Sequence, residues 1–301
     1  MSPQQPHICV CVCTYKRPEY LKRLLSELAL QDTGGLFTYS IVIADNDSER
    51  SAEAVVAEFA SRSSLSVTYC VEPCQGIPMA RNKAVANASG DFVAFIDDDE
   101  FPVQRWLQDL LRTIQVYNVD AALGPIEPRF DTTPAKWLIE GGFHNRPTHR
   151  TGQPLEWWQC RTGNALVKAQ LFAGRTEPFL TEFLSGEDQN FFRRMSEEGY
   201  KFVSCSEAVV YEAVPPQRCR RSFLVRRALF RGMFSLRNHR FAPMRVLQSA
   251  IAAPAYAAAL PVALLAGQAK FMRYAFQMSY HLGRLLAVVG VNPIRARYVI
   301  D

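Results

Sequence analysis

The chain has 301 residues, of which 48% are hydrophobic and 21% charged; a buried core is affordable and intrinsic disorder is excluded. The net charge of +5 is unevenly spread: residues 217–301 hold 13 Arg and one Lys against a single acid, whereas the remaining 216 residues hold 20 basic and 28 acidic side chains. One large acidic domain with a basic appendage follows, and the appendage points to a polyanionic partner such as a membrane surface, a phosphorylated lipid or a nucleic acid.

The first two-thirds alternate strand and helix. His7 to Thr14 is a predicted strand, and Pro18 opens a helix with Leu21, Leu24, Leu25 and Leu28 on one face. Tyr39 to Ala44 forms the second strand and runs into Asp45-Asn46-Asp47-Ser48, followed by a helix from Glu49 to Ser61. Ser66 to Val71 is the third strand, Pro78 to Ala88 a helix, Asp91 to Ile96 the fourth strand, and Pro102 to Tyr117 an amphipathic helix. Such repetition predicts an α/β fold with a mostly parallel central sheet covered on both faces, in which ligands bind beyond the carboxyl ends of the strands. Residues 128–162 form a long irregular segment. Strands are expected at Gly163–Lys168, Lys201–Ser204 and Val209–Glu212, with a helix opening at Gly186-Glu187-Asp188. Eight cysteines show no paired zinc spacing, and Cys9, Cys11 and Cys13 share one strand face. No secretory signal precedes them, so reduced thiols in a cytoplasmic protein are expected.

The character changes at Gln217. Arg218, Arg220, Arg221, Arg226, Arg227, Arg231, Arg237, Arg240 and Arg245 interleave with apolar side chains, as in a basic amphipathic helix or helix pair. Val246 to Ala269 then runs 24 residues without a charge, enough to span a bilayer at ~20 residues, but it is Ala-rich and contains Pro254 and Pro261. A second apolar stretch, Phe271 to Val291, carries Arg273, His281 and Arg284. These are expected to lie in, or partly enter, one leaflet.

Several motifs fall where such a sheet places its site. Asp97-Asp98-Asp99, followed by Glu100, ends the fourth strand. Hard divalent cations take oxygen ligands, and Mg²⁺ takes one or two carboxylates plus substrate phosphates, so the run suits a metal–diphosphate site; a solvated acidic strand end would look the same. Ser185-Gly186-Glu187-Asp188 sets two acids at a helix start, where Asp188 could act as a general base and Glu187 could bind an acceptor, or both could simply favour the helix dipole. Arg81, in Gly76-Ile-Pro-Met-Ala-Arg81-Asn82, could reach a base or a phosphate. Thr14-Tyr15-Lys16-Arg17-Pro18 and Asp45/Asp47 end the first and second strands, where a nucleoside could sit.

In this order the motifs resemble the family 2 glycosyltransferases of the GT-A fold, over about residues 1–215. The strand-one turn, the Asp-Asn-Asp-Ser turn, the Gly-x-x-x-x-Arg-Asn segment, the Asp-x-Asp metal motif and the Glu-Asp base motif all have counterparts. The chain looks most like bacterial exopolysaccharide glucosyltransferases of the succinoglycan type. The resemblance implies a catalytic domain over 1–216 and a membrane-associated helical region over 217–301. It implies that Asp45, Arg81 and Tyr15 hold the uracil, Asp97 touches the ribose or sugar, Asp99 and Asp97 ligate Mg²⁺ or Mn²⁺, and Asp188 deprotonates the acceptor for a single inverting displacement. Thr14, Arg17, Asp47 and Asp98 complete the donor site, and Arg227 or Arg231 could reach a diphosphate. Trp157-Trp158 and Thr162-Gly163-Asn164 are the candidate acceptor platform. Processive members carry Gln-x-x-Arg-Trp after the base; Arg226-Arg227-Ala-Leu-Phe-Arg231 stands here, so one transfer per acceptor is expected.

The expected enzyme moves a hexose, glucose first, from a UDP-sugar to a polyprenyl-diphosphate-linked saccharide at the cytoplasmic face of the inner membrane, against anionic lipids. UDP-Gal, UDP-GlcNAc or a dTDP-sugar, or a non-lipid acceptor, is the alternative. A sugar-1-phosphate nucleotidyltransferase would need a glycine-rich loop after strand one, which is missing. A basic membrane- or nucleic-acid-binding protein with a vestigial fold would not need both acid sets; no nucleic acid is expected as partner.

Overall fold

The computed structural model describes residues 5–183, 186–236 and 242–291; Ser185, Arg237 and Arg240 lie outside them. In chain order the elements are β1 (His7–Thr14), α1 (Pro18–Leu28), β2 (Thr38–Asp45), α2 (Glu53–Arg62), β3 (Val67–Val71), α3 (Ile77–Ala86), β4 (Phe92–Asp97), β5 (Glu100–Pro102), α4 (Trp106–Tyr117), β6 (Ala121–Leu123), β7 (Ile126–Phe130), α5 (Lys136–Gly141), β8 (Asn164–Lys168), α6 (Glu187–Glu197), β9 (Phe202–Ser204), β10 (Val210–Val214), α7 (Arg221–Phe234), α8 (Ala242–Leu265) and α9 (Gln268–Val288). The chain divides into two compact units, Met1–Glu127 with Arg146–Glu212, and Pro128–Asn145 with Ala213–Asp301.

The first unit is built on a seven-stranded sheet of order β3-β2-β1-β4-β8-β6-β9. β1 is buried on both faces. Cys9 and Cys11 pack with Val42, Ala44 and Phe95 and with Phe191, Phe192 and Met195 of α6, while the alternate residues Ile8, Val10 and Val12 have no exposure either. That is why β1 reads as an unbroken apolar run. β1, β2, β3 and β4 are parallel, and the register sets Thr14 opposite Asp45 and Cys13 opposite Asp97. The carboxyl ends of β1, β2 and β4 therefore line up, and the polar residues that follow them share one edge.

The sheet is mixed rather than uniformly parallel. β8 runs antiparallel to both β4 and β6, with Ile96 opposite Asn164. A helix predicted from Pro102 begins instead at Trp106. Glu100–Pro102 is a short strand paired antiparallel with β10, so the backbone N–H that Pro102 lacks costs nothing at the strand end.

In the second unit α7 and α9 touch backbone to backbone: a Cβ on Gly232 would run into the Tyr280 carbonyl, and one on Gly283 into the Leu229 carbonyl. Leu138, Leu224 and Met272 form a core with Phe130, Trp137, Phe143 and Phe276 around them. Arg273 donates to the carbonyls of Glu140 and Gly141 at 2.5 and 3.1 Å, so the irregular stretch after β7 belongs to the helical unit. α8 contains Pro254 and Pro261, and Pro243–Leu265 is long and apolar enough to cross a membrane, with Leu247, Ile251, Val262 and Leu265 exposed.

Candidate functional site

The site is assembled at the strand ends. Asp45 is fully buried, and its carboxylate accepts from the Asp47 and Ala52 N–H groups at 3.1 and 2.8 Å and from the Tyr69 hydroxyl at 2.9 Å. It therefore fixes the whole turn from β2 to α2, which is why the helix starts at Glu53 and not at Glu49. Asp47 accepts from the Glu49 N–H at 3.2 Å and lies 3.9 Å from Lys16 Nζ. Asn46 bonds the Glu72 and Cys74 carbonyls and receives the Gly76 N–H, tying this turn to the start of α3.

The acidic run divides by direction. Asp98 and Asp99 are buried; Thr14 Oγ1 donates to Asp98 at 2.8 Å, and Arg17 Nη1 stands 3.4 Å from Asp98 and 3.3 Å from Asp99. Asp97 instead keeps a side chain 45% exposed, 3.4 Å from Arg81 Nη2, while its N–H is held by Glu100 Oε2 at 2.9 Å. Arg81 also pairs with Glu187, 106 residues further along the chain, so one buried guanidinium joins the end of β4 to the start of α6. Tyr15 lies half-buried in the same turn, its ring under Lys16 Nζ at 5.6 Å.

Burial dominates the electrostatics. It pushes Asp98 up to about 7, aided by neighbouring Asp99 and opposed by Arg17 and Thr14. It pushes Glu187 up to about 7 although Arg81 opposes it, and it raises Glu100 well above the usual carboxylate range. Glu187 has a checkable consequence. An unfolded glutamate loses its proton near 4.5, and the folded one holds it to about 7, so the folded chain binds more protons in between and stability falls as pH rises through that window. Glu187→Gln should make the fall in melting temperature between pH ~5 and ~7.5 shallower; an unchanged slope would remove Glu187 from this balance.

The opposite side of the site is built by α6 and the turn at Trp157–Gln159. Asp188 Oδ1 accepts from the Gln189 N–H at 2.7 Å, and Oδ2 is 4.0 Å from Arg161 Nε. The Trp158 carbonyl receives both Arg161 Nη1 and Gln189 Nε2 at 3.0 Å. The half-exposed Trp158 ring, edge-to-face with Trp157 at 5.5 Å, is thus anchored to the same two side chains that flank Asp188. Trp157 itself packs against the core.

The other residues expected in the acceptor platform are buried or closely packed. Asn164 is 1% exposed, accepts from Trp106 Nε1 at 2.8 Å, and donates to the Pro125 and Ala208 carbonyls at 2.9 and 2.7 Å. It stitches β8 to α4 and to the Pro125 and Ala208 carbonyls. Thr162 is equally buried, and its hydroxyl has no hydrogen-bond partner. Gly163 lies against Glu100, with an added Cβ 2.9 Å from Oε1. Arg227 and Arg231 sit on α7 in the second unit, half-buried and exposed respectively. Sequence reasoning missed Arg161, Tyr69 and the Glu100–Glu212 pairing of β5 with β10, where Arg146 holds Glu212 at 2.7 Å. Only Glu100, the fourth acid of a visible run, carried a sequence signal.

The donor set suits a hard divalent cation. Among the described residues no three His, Cys, Asp or Glu side chains form a ready cage. The Asp97 side chain is open to solvent and that of Asp99 is 10% exposed, and Mg²⁺ takes one or two carboxylates when substrate phosphates complete its shell.

Comparison with known proteins agrees with this arrangement. The model of glycosyl transferase family 2 matches residues 9–172. The chain is 30% identical, over 98% of its own length and 96% of the relative's, to the succinoglycan biosynthesis protein ExoM of Rhizobium meliloti. Among solved structures it is similar to the mannosyltransferase PcManGT of Pyrobaculum calidifontis in complex with GDP-Man and Mn²⁺, with TM-score 0.64 and 19% identity over 94% of this chain and 88% of that one. It is also similar to S. aureus TarS 1–349 in complex with UDP, with TM-score 0.55 and 17% identity over 96% of this chain and 93% of that one. These neighbours share the GT-A fold, and with a matching family model over more than half its length and a full-length relative, the chain belongs to glycosyltransferase family 2.

Proposed function

We propose that the protein transfers a hexose, glucose first among candidates, from a UDP-sugar to a polyprenyl-diphosphate-linked saccharide, with inversion and with Mg²⁺ or Mn²⁺, in exopolysaccharide or other cell-surface glycan assembly at the cytoplasmic face of the inner membrane. The observation that carries this reading is the Arg81 bridge, which holds Asp97 of the donor-side strand end against Glu187 beside Asp188. The full-length likeness to a succinoglycan biosynthesis protein supports a polysaccharide product, and the arginine-rich second unit with its exposed apolar helix supports a lipid-borne acceptor.

In this reading Asp97 and Asp99 would hold the metal, which when bound would neutralise charge on the departing diphosphate. Thr14, Tyr15, Arg17, Asp45 and Asp47 shape the nucleoside end, and Asp98, held by Thr14 and Arg17, keeps the strand end in place. Trp158 offers a stacking face to the acceptor sugar. Asp188 Oδ2 takes the acceptor hydroxyl proton as that oxygen bonds to the anomeric carbon; the carbon–oxygen bond to UDP breaks with its electrons leaving on UDP, and the configuration inverts. Arg161, near Asp188 and tied to the Trp158 carbonyl, positions the base against the platform.

Two measurements test this. A screen of UDP- and dTDP-sugars with membrane lipid extract and either metal should give a lipid product from one donor; a product from none would sink the reading. Asp99→Asn should weaken Mn²⁺-dependent UDP binding by about tenfold or more in calorimetry, a loss of at least ~1.4 kcal/mol, while leaving any metal-independent binding in place. Undiminished metal-dependent binding would take Asp99 out of the metal site.

A further inference from the structure

The second unit buries a positive charge that, among the described residues, is given no acidic partner. Arg284 of α9 is 4% exposed. Its Nε donates to Ser235 Oγ and its Nη2 to the Tyr280 hydroxyl, both at 2.7 Å, and its Nη1 reaches Ser249 Oγ at 3.5 Å. All three acceptors are neutral hydroxyls. A guanidinium has five N–H donors, so donors remain, and none of these partners supplies negative charge.

The nearest further charge is again positive, that of Arg245. His281 Nδ1 bonds the same Ser249 hydroxyl at 3.0 Å, and Arg245 of α8 stands within electrostatic reach of both Arg284 and Tyr280. The described residues of this unit contain the acids Asp131 and Glu140 alone; neither pairs with Arg284, and Glu140 is engaged by Lys136 at 3.6 Å. Buried charges are ordinarily paired, because an uncompensated one is costly in a low-dielectric interior. The groups occupy the end of α7 (Ser235), the start of α8 (Arg245, Ser249) and the last turns of α9 (Tyr280, Arg284). Arg284, His281 and Ser249 form a buried floor, and Ser235, Tyr280 and Arg245 a half-exposed rim.

We infer that this cluster binds the phosphate of a lipid headgroup, with Arg284 as its central donor and Arg245, Ser235 and Tyr280 around it. Hydroxyls and forked guanidinium donors are the groups that recognise phosphate oxygens. The apolar exposed face of α8, which carries Arg245 and Ser249 on its first turns, argues that the phosphate is borne on a lipid. The ligand's source rests on the lipid-acceptor reading above; the site's chemistry does not. An isoprenoid diphosphate and an anionic phospholipid share that chemistry.

The test uses the full chain in neutral detergent with EDTA, which keeps the metal-dependent donor site from holding diphosphate. Melting is followed with farnesyl diphosphate, a short-chain phosphatidylglycerol and inorganic diphosphate, in the wild type, Arg284→Met and Arg284→Lys. The wild type should be stabilised by at least one of the two lipids, and Arg284→Met should bind it at least tenfold more weakly while melting no lower than the wild type when unliganded. Arg284→Lys should fall between them. A larger response to farnesyl diphosphate assigns the site to an isoprenoid acceptor, and a larger response to phosphatidylglycerol assigns it to the bilayer. Stabilisation by inorganic diphosphate alone, equal lipid responses in Arg284→Met, or a marked drop in that variant's unliganded melting temperature would overturn the inference. UDP plus Mn²⁺, added to parallel samples without EDTA, should stabilise Arg284→Met as it does the wild type; loss of that response in every protein would mark failure of the donor reading instead.

Discussion

Asp188→Asn is expected to lower transfer by roughly 10²- to 10⁴-fold, the range of a lost general base, with UDP binding unchanged. The isosteric amide keeps the oxygen that accepts the Gln189 N–H, so the start of α6 should survive and the melting temperature should barely move. What it loses is the capacity to take a proton at the atom beside Arg161. Arg161→Gln should give a smaller loss, chiefly in kcat, because the base would remain but its placement against Trp158 would loosen. Transfer by Asp188→Asn at the wild-type rate would move the base elsewhere.

Arg81→Leu is expected to cost ~3–5 kcal/mol of stability, the usual penalty for removing one partner of a buried ion pair. Glu187 would be left 4% exposed with its countercharge gone, and Asp97 would lose its contact as well. The chain's remedy is protonation of Glu187, so the cost should be larger above pH ~7 than below it, as follows from its raised pKa. Replacing both partners, Arg81→Leu with Glu187→Leu, should recover most of the stability but not the activity, since the strand end and the base helix would no longer be joined by a directional contact. Urea unfolding and transfer assays on the same samples separate these outcomes; an Arg81→Leu variant as stable as the wild type would mean that the bridge is dispensable.

How much of this was legible in the sequence depended on distance along the chain. β1, matched residue for residue at His7–Thr14, announced itself through an unbroken apolar run, and the acids closing β2 and β4 followed from strand ends in a parallel sheet. The basic amphipathic helix and the charge-free run became α7 and α8 for the same reason: helical periodicity and charge are local. Contacts between distant segments were not legible. Arg81 reads locally as a residue free to meet a nucleotide, and only the fold brings Glu187 to it. Asn164 reads as a polar residue near a Trp pair, and only the antiparallel entry of β8 beside β4 puts it between Trp106 Nε1 and two carbonyls. β5 was hidden because Pro102 suggests a helix start, whereas its strand partner, β10, lies a hundred residues further on.

The measurement that bears most directly on the proposed activity is incorporation of radiolabelled glucose from UDP-glucose into organic-extractable lipid by the full chain with Mn²⁺ and membrane lipid extract. The account predicts label in the lipid phase that depends on the metal and is lost in Asp188→Asn. Label that stays in the aqueous phase with every UDP- and dTDP-sugar tried, from protein that still binds UDP, would contradict a lipid-linked acceptor.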